Sequence, residues 1–437
     1  MRCLKLDINT VFVIKLKRIK KILLSFSFLR FRIYRYIYLF YANKCLSAER
    51  LSKKYNKFCS YVPYDSLLCL VSNVYNRSSD NFVIADMLAG LLQAGNRHEE
   101  AYLLVKNSCI LRKKTASAFL SDDYESKVSG SPLGTFVQIS GYFYSGSGAV
   151  LDYLKGYKNS IKWAPGCEAR IVKFPGGLGD LYLKLKSDKV ITIAEIVDLY
   201  LHIVGSFYVT ARGNQYNKYA CVNRDSKKVL DKPQSVSYVY ELLILWEALR
   251  EFSEKKVQTE KEFLHIVRHG LHRAFNSILF FNKAELLLMD QMVTAWRMPD
   301  AVLLPPSRFI VVHRDPRDQY VDANSVMGDP GRSKWTADEF IKVYKSRRAL
   351  VREWIPKLEA DSGHTFLQIS FDEFVNNPVE QKEIIDNYLK LEKADYCEKM
   401  SGFNPDVSRK NVGKYKKYLK QEVQLYFKEN IPEFCRD

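Results

Sequence analysis

The chain has 437 residues, 47% of them hydrophobic and 27% charged, with only 20 Gly and 14 Pro, which excludes a disordered, collagen-like or disulfide-stapled chain. It is long enough for one large domain plus an accessory one, and a soluble globular protein is expected. The net charge of +18 at first suggests a nucleic-acid binder, but residues 1–60 hold 15 Lys/Arg against Asp7 and Glu49, a net of +13, leaving +5 for the other 377 residues, so no nucleic-acid partner is expected.

The basic segment, residues 1–45, comes first. Its apolar stretch 22–41 is interrupted by Arg30, Arg32 and Arg35, which a bilayer centre tolerates poorly, so a transmembrane span is rejected. Two readings stay open. The segment lies on an anionic membrane surface with Phe26, Phe28, Tyr34 and Tyr36 at the interface, or it docks as a basic helix on the rest of the protein. Positive charges are spread through residues 1–21 rather than gathered at a tip, which argues against a signal peptide. The expected location is cytoplasmic, peripheral to the inner face of a membrane. Nine scattered cysteines without a C-x-x-C suggest neither a disulfide framework nor a zinc site, and no metal is expected.

Residues 46–130 read as a small α-helical accessory domain. Val83, Met87, Leu88, Leu91 and Leu92 fall at helical spacing, Gly95-Asn96-Arg97 turns the chain, and Ala101, Leu104 and Val105 follow. This hairpin resembles a single tetratricopeptide unit, with Ala89 and Ala101 as small contact residues. A Ser/Gly/Asp-rich stretch at 121–134 reads as a linker.

From residue 131 to 437 the pattern is α/β. Four apolar runs, 135–140 (TFVQIS), 278–282 (ILFFN), 308–313 (RFIVVH) and 365–370 (TFLQIS), read as buried parallel strands. Helical segments near 192–207, 236–252 and 336–358 are long enough to serve as crossovers. The expected fold is a central parallel sheet flanked by helices, of P-loop nucleotide-binding type.

The first strand runs into Gly141-Tyr142-Phe143-Tyr144-Ser145-Gly146-Ser147-Gly148, and Ala149 and Val150 begin a helix. Strand, glycine loop and helix make a phosphate cradle. Backbone amides converge on an anion, the helix N-terminus adds partial positive charge, and the serine hydroxyls donate. A ligand-free tight turn is the alternative. No Lys follows Gly146 or Gly148, so an ATP-hydrolysing loop of the G-x-x-x-x-G-K type is disfavoured. The strand at 308–313 ends in His313-Arg314-Asp315-Pro316-Arg317-Asp318, at the edge where open α/β sheets bind ligands. The guanidinium of Arg314 suits a phosphate. The competing reading is an Arg–Asp network tying the strand end to the next helix, with Arg317 and Asp318 as candidates.

These motifs resemble those of the sulfotransferases that use 3′-phosphoadenosine 5′-phosphosulfate, of the bacterial and carbohydrate-directed type. In that family a loop of Lys or Arg followed by Ser-Gly and Ser or Thr holds the 5′-phosphosulfate, and a later strand ending in V-x-R-D-P-R-D holds the 3′-phosphate. Tyr144-Ser145-Gly146-Ser147 and residues 311–318 match in order, as do 365–378 and the basic loop 408–419, which includes Arg409, Lys410, Gly413 and Lys414. The resemblance spans 131–437. Two positions depart from it: Tyr144 replaces the basic residue, so that Lys173 or Lys414 must supply charge, and Asp322 stands where the family has a serine for the 3′-phosphate. Ser325 or Asn324 is the expected substitute.

The resemblance implies a donor site built from Gly141, Tyr144, Ser145, Gly146, Ser147, Gly148, Ala149, Arg314, Asp322, Ser325, Arg409, Lys410, Gly413 and Lys414. It also implies a carbohydrate or glycolipid acceptor and a base. Glu168 is the first candidate, although an ion pair with Arg170 or Lys173 explains it equally. His265 and His269, with His272 on the same helix face, come next. Lys283, following the run 278–282, is expected to stabilise the transferring group. Two other readings remain: a kinase-like transferase, and a nucleotide-binding, catalytically impaired protein whose helical domain recruits partners.

Overall fold

The computed structural model describes residues 64–142, 144–163, 171–173, 176–204, 233–325 and 334–436. The basic segment 1–45 and Glu168 lie outside the described residues. Among the described residues no helix is long and apolar enough to cross a membrane.

The chain divides into two compact units, whose described residues run from 64 to 111 and from 112 to 436. The division falls inside a helix, before the Ser/Gly/Asp-rich stretch that composition marks. The first unit holds α1 (Tyr64–Asn76), α2 (Phe82–Ala94) and the start of α3 (His98–Ser117). Asn81 caps α2 by accepting from the amides of Val83 and Ile84 at 3.1 and 3.2 Å, and Asn96, with φ of 58°, turns the chain after Gly95. Ala89 and Ala101 are fully buried, as small residues between paired helices are.

In the second unit α4 (Tyr124–Ser129) is tied down by ionic contacts. Arg273 pairs with Glu125 at 2.6 Å and with the buried Glu241 at 2.7 Å, while Tyr124 donates to Glu241 at 2.9 Å. Then follow β1 (Thr135–Gly141), α5 (Ser147–Leu154), β2 (Ser160–Lys162), α6 (Leu178–Lys186), α7 (Ile193–Val204), α8 (Pro233–Ser253), α9 (Glu260–Asn282), β3 (Leu286–Asp290) and β4 (Arg308–His313). After β4 come α10 (Pro316–Ala323), α11 (Ala337–Ser362), β5 (Thr365–Ser370), α12 (Phe371–Asn376), α13 (Pro378–Leu389), α14 (Pro405–Arg409), α15 (Lys414–Tyr418) and α16 (Gln421–Asn430).

The five strands form one parallel sheet in the order β2-β3-β1-β4-β5. One face sends Val137, Ile139, Leu286, Leu288, Ile310 and Val312 into a core with Val150, Leu154, Phe371 and Phe374. On the other face Phe136 packs on Phe275 at 5.3 Å between ring centres. Covered on both sides, β3 and β4 read as near-continuous apolar runs rather than alternating ones, and β1 keeps Gln138 and Ser140 fully buried within its run. Within the core the hydroxyls of Tyr153 and Tyr157 both donate to Asp386, at 2.5 and 2.6 Å.

One strand expectation is corrected. Residues 278–282 are the last turn and a half of α9, and the strand is Leu286–Asp290. A five-residue apolar run does not distinguish a strand from a buried helix end. Here Phe263, Val267, Leu271, Phe275 and Ile278 keep the helical spacing, all fully buried, and Thr259 caps the start by accepting from Glu262. Lys283 is the left-handed residue that ends the helix, with φ of 49°.

Candidate functional site

Parallel strands place all their carboxyl ends on one edge, and β1 and β4 are neighbours there. The loop leaving β1 is shaped by conformation. Gly146 has φ of 82°, and a Cβ on it would stand 2.1 Å from the Phe371 ring. Only glycine fits. Tyr144 adopts φ of 46°, a left-handed conformation uncommon for an aromatic residue and a mark of functional loops. At Gly141 a Cβ would stand 2.2 Å from the Ser145 hydroxyl, so the bare backbone lets Ser145 fold back over the strand tip.

The result is a cradle lined with donors. Ser145 is buried, and its Oγ has no hydrogen-bond partner among the described residues. A buried hydroxyl left unsatisfied is costly in an empty fold and suits a site that receives an acceptor. Ser147 begins α5, and its Oγ accepts from Nε2 of Gln291 at 2.7 Å. Among the described residues nothing lies within 4 Å of where a Cβ of Gly148 would stand, so the start of α5 is open above its first turn. Ala149 closes the turn, its amide donating to Gly146 at 2.9 Å.

Arg314 leaves the tip of β4 and is 4% exposed. Its Nη1 donates to the Tyr144 carbonyl at 3.0 Å and to Oδ2 of Asp322 at 2.7 Å, and its Nη2 donates to the Asn411 carbonyl. Its Nε is buried without a partner among the described residues. One guanidinium thus joins the β1 loop, α10 and the segment before α15. The other carboxylate oxygen of Asp322, Oδ1, accepts from Lys414 Nζ at 2.9 Å.

Around this centre the acidic side chains work as joints. Asp315 caps α10 and holds Arg317 through Nε at 3.0 Å and Nη2 at 2.6 Å, and Arg317 lies 3.8 Å over the Tyr415 ring. Arg317, offered with Asp318 for an Arg–Asp network at this strand end, pairs with Asp315. Asp318 instead accepts from the amides of Gly413 at 2.7 Å and Tyr415 at 2.8 Å, fixing the basic C-terminal loop under Arg314. Burial raises the Asp318 carboxyl, opposed by the Tyr415 amide and Arg314. Burial likewise pushes Asp372, which accepts from the Asp315 amide, up to about 6.

Other expected residues fall elsewhere. Arg409 pairs with Asp406 at 3.1 Å and donates to the Val375 carbonyl at 3.2 Å, and Lys410 is exposed beside it. Ser325 donates to the Asp322 carbonyl at 2.8 Å, and Asn324 exchanges hydrogen bonds with the Trp335 backbone.

His265, His269 and Lys283 are placed away from Ser145 and Arg314. The three histidines line a cavity of about 460 Å³ with Pro305 and Pro306, the residues just before β4 begins. His272 also packs on Phe136, near the start of β1. They sit toward the amino edge of the sheet, and β4 alone, six residues long, spans about 20 Å to the opposite edge. Lys283, exposed just ahead of β3, is on the amino edge as well.

Two groups at the carboxyl edge escaped sequence reasoning. Gln291 follows β3 with φ of 53° and reaches Ser147; misplacing that strand hid its tip, although the LLLMD run was a usable signal. Arg348 on α11 lies 5.1 Å over the Tyr142 ring, and no local pattern announces it. With Arg436 it surrounds His313, whose imidazole is pushed down to about 4 by burial first and these cations second. Among the described residues no group of three His, Cys, Asp or Glu is placed to hold a metal ion.

Comparison with family models, curated proteins and solved structures yields no match.

Proposed function

We propose that the chain is a sulfotransferase that moves a sulfonyl group from 3′-phosphoadenosine 5′-phosphosulfate to a hydroxyl of a carbohydrate or glycolipid. The observation that carries the reading is the empty-handed Ser145 hydroxyl in a glycine loop that Arg314 of the adjacent strand touches directly. A single bisphosphorylated nucleotide can reach both.

In this reading Ser145, Ser147 and the first amides of α5 hold the 5′-phosphosulfate, and Arg314 with Lys414 attracts the 3′-phosphate. The acceptor oxygen attacks sulfur, the bond from sulfur to the phosphate oxygen breaks, and the acceptor proton passes to a base, for which Glu168 remains the candidate. Alignment and charge stabilisation supply the rate, as in phosphoryl transfer. The proposed cytoplasmic site of action, with residues 1–45 on an anionic membrane, fits a glycolipid acceptor.

One feature favours a second reading, a chain that binds nucleotide without turning it over. Tyr144, 43% exposed, stands where the resemblance calls for a cation beside the sulfonate. Calorimetry with adenosine 3′,5′-bisphosphate, followed by a transfer assay with labelled donor and an oligosaccharide panel, decides. Binding with transfer supports the sulfotransferase, binding without transfer the second reading, and absence of binding removes both.

A further inference from the structure

The carboxylate of Asp322 has each oxygen on a different cation, Oδ2 on Arg314 and Oδ1 on Lys414. The cations come from separate segments, the tip of β4 and the start of α15. Their side chains are 3% and 26% exposed and that of Asp322 is 18% exposed, so the bridge is largely withdrawn from water. A place where two cations of different segments converge on one carboxylate is a place where an anion is stable.

The neighbouring acid does not share this role. Asp318 comes within 3.8 Å of Arg314, yet its oxygens are committed to the amides of Gly413 and Tyr415. Asp322 is held by cations through both oxygens, sits in the last turn of a short helix, and keeps some exposure into which to withdraw.

We infer that Asp322 is a built-in competitor for the second phosphate of the nucleotide, a specificity-determining residue that makes the 3′-phosphate contribute little net affinity. The inference rests on the donor site proposed above. An incoming phosphate either displaces the carboxylate, exchanging one anion for another on the same two cations, or stays beside it against like-charge repulsion. In both cases little is gained over a nucleotide lacking that group. The spent bisphosphate is then released readily, because the protein's own carboxylate reoccupies the cations as it leaves.

The test is calorimetric, on the full chain, with adenosine 3′,5′-bisphosphate and adenosine 5′-monophosphate as probes. The wild-type chain is expected to prefer the bisphosphate by less than about 5-fold, and Asp322→Ser to widen that preference by at least about 10-fold, chiefly by tightening the bisphosphate. Asp322→Asn, which keeps an acceptor for Arg314 while losing the charge, is expected to move the same way and covers the case in which the serine variant does not fold. A wild-type preference above 5-fold, or a preference left within 10-fold of wild type by every folded variant, overturns the inference alone. If neither probe binds the wild-type chain or a folded variant, the donor site itself is wrong and the inference falls with it.

Discussion

Arg314 donates to the Tyr144 carbonyl at 3.0 Å, so the residue expected to grip a ligand's far end is bonded to the loop expected to grip its near end. With its bonds to Asp322 and Asn411 it is a clamp among three segments before any ligand arrives. Arg314→Ala is therefore expected to lower stability by about 2 kcal/mol, since two carbonyls lose their donor and Asp322 keeps only Lys414. Arg314→Lys restores the charge without the planar fork and should recover only part of the loss. Denaturant titration reads both; a fully stable alanine variant contradicts the clamp.

The degree to which the chain announces this arrangement differs by element. Strands β1, β4 and β5 were legible as short runs rich in β-branched and aromatic residues between helical segments, and the Gly141–Gly148 loop because the left-handed Gly146 and the close approach of Ser145 to Gly141 need glycine. An apolar helix end imitates a strand, and reading 278–282 as one sets Lys283 at a strand tip; the histidines enter separately, through their shared helix face and the family resemblance. Asp322 was visible only as a departure. That its two oxygens meet Arg314 and Lys414 depends on a contact across 92 residues, which no local spacing encodes.

Ser145→Ala separates structure from ligand binding. Since the Ser145 Oγ is buried without a partner, its removal is expected to leave the free chain's stability unchanged or raised by up to about 1 kcal/mol. Affinity for adenosine 3′,5′-bisphosphate should fall about 10-fold, the loss of one hydrogen bond to a charged group. A thermal-melt loss together with unchanged affinity would make Ser145 a structural residue instead.

Gly146→Ala strains the same loop from the other side. The added methyl meets the Phe371 ring, and φ of 82° disfavours any Cβ. The expected cost is about 2–4 kcal/mol, overpacking plus backbone strain, with loss of nucleotide binding in whatever fraction stays folded. Gly148→Ala, with open space at its Cβ position, is expected to keep stability and so serves as the control. Equal effects of the two substitutions contradict the loop geometry.

His364, away from the ligand edge, makes stability depend on pH. Its Nδ1 accepts from the Ser307 amide at 3.1 Å and its Nε2 donates to the Ala301 carbonyl at 2.9 Å, an arrangement that only the neutral imidazole satisfies. Burial first, with Arg268 adding to it, pushes the group down to about 4 from an ordinary 6.5. As pH falls below 6.5 the unfolded chain takes up this proton and the native chain does not, so stability declines until about pH 4 and this contribution then levels off. His313, also pushed down to about 4, acts in the same direction, whereas Asp300 and Asp372, pushed up to about 6, retain native-state protons and act in the opposite one. The whole-protein profile therefore mixes signs, and a single-site comparison is needed. Asn at position 364 retains an acceptor for Ser307 without titrating. The stability advantage of wild type over His364→Asn should shrink by about 3 kcal/mol between pH 7 and pH 4. A pH-independent difference would mean that the imidazole titrates alike in the folded and unfolded chains, against the hydrogen bonding that holds it.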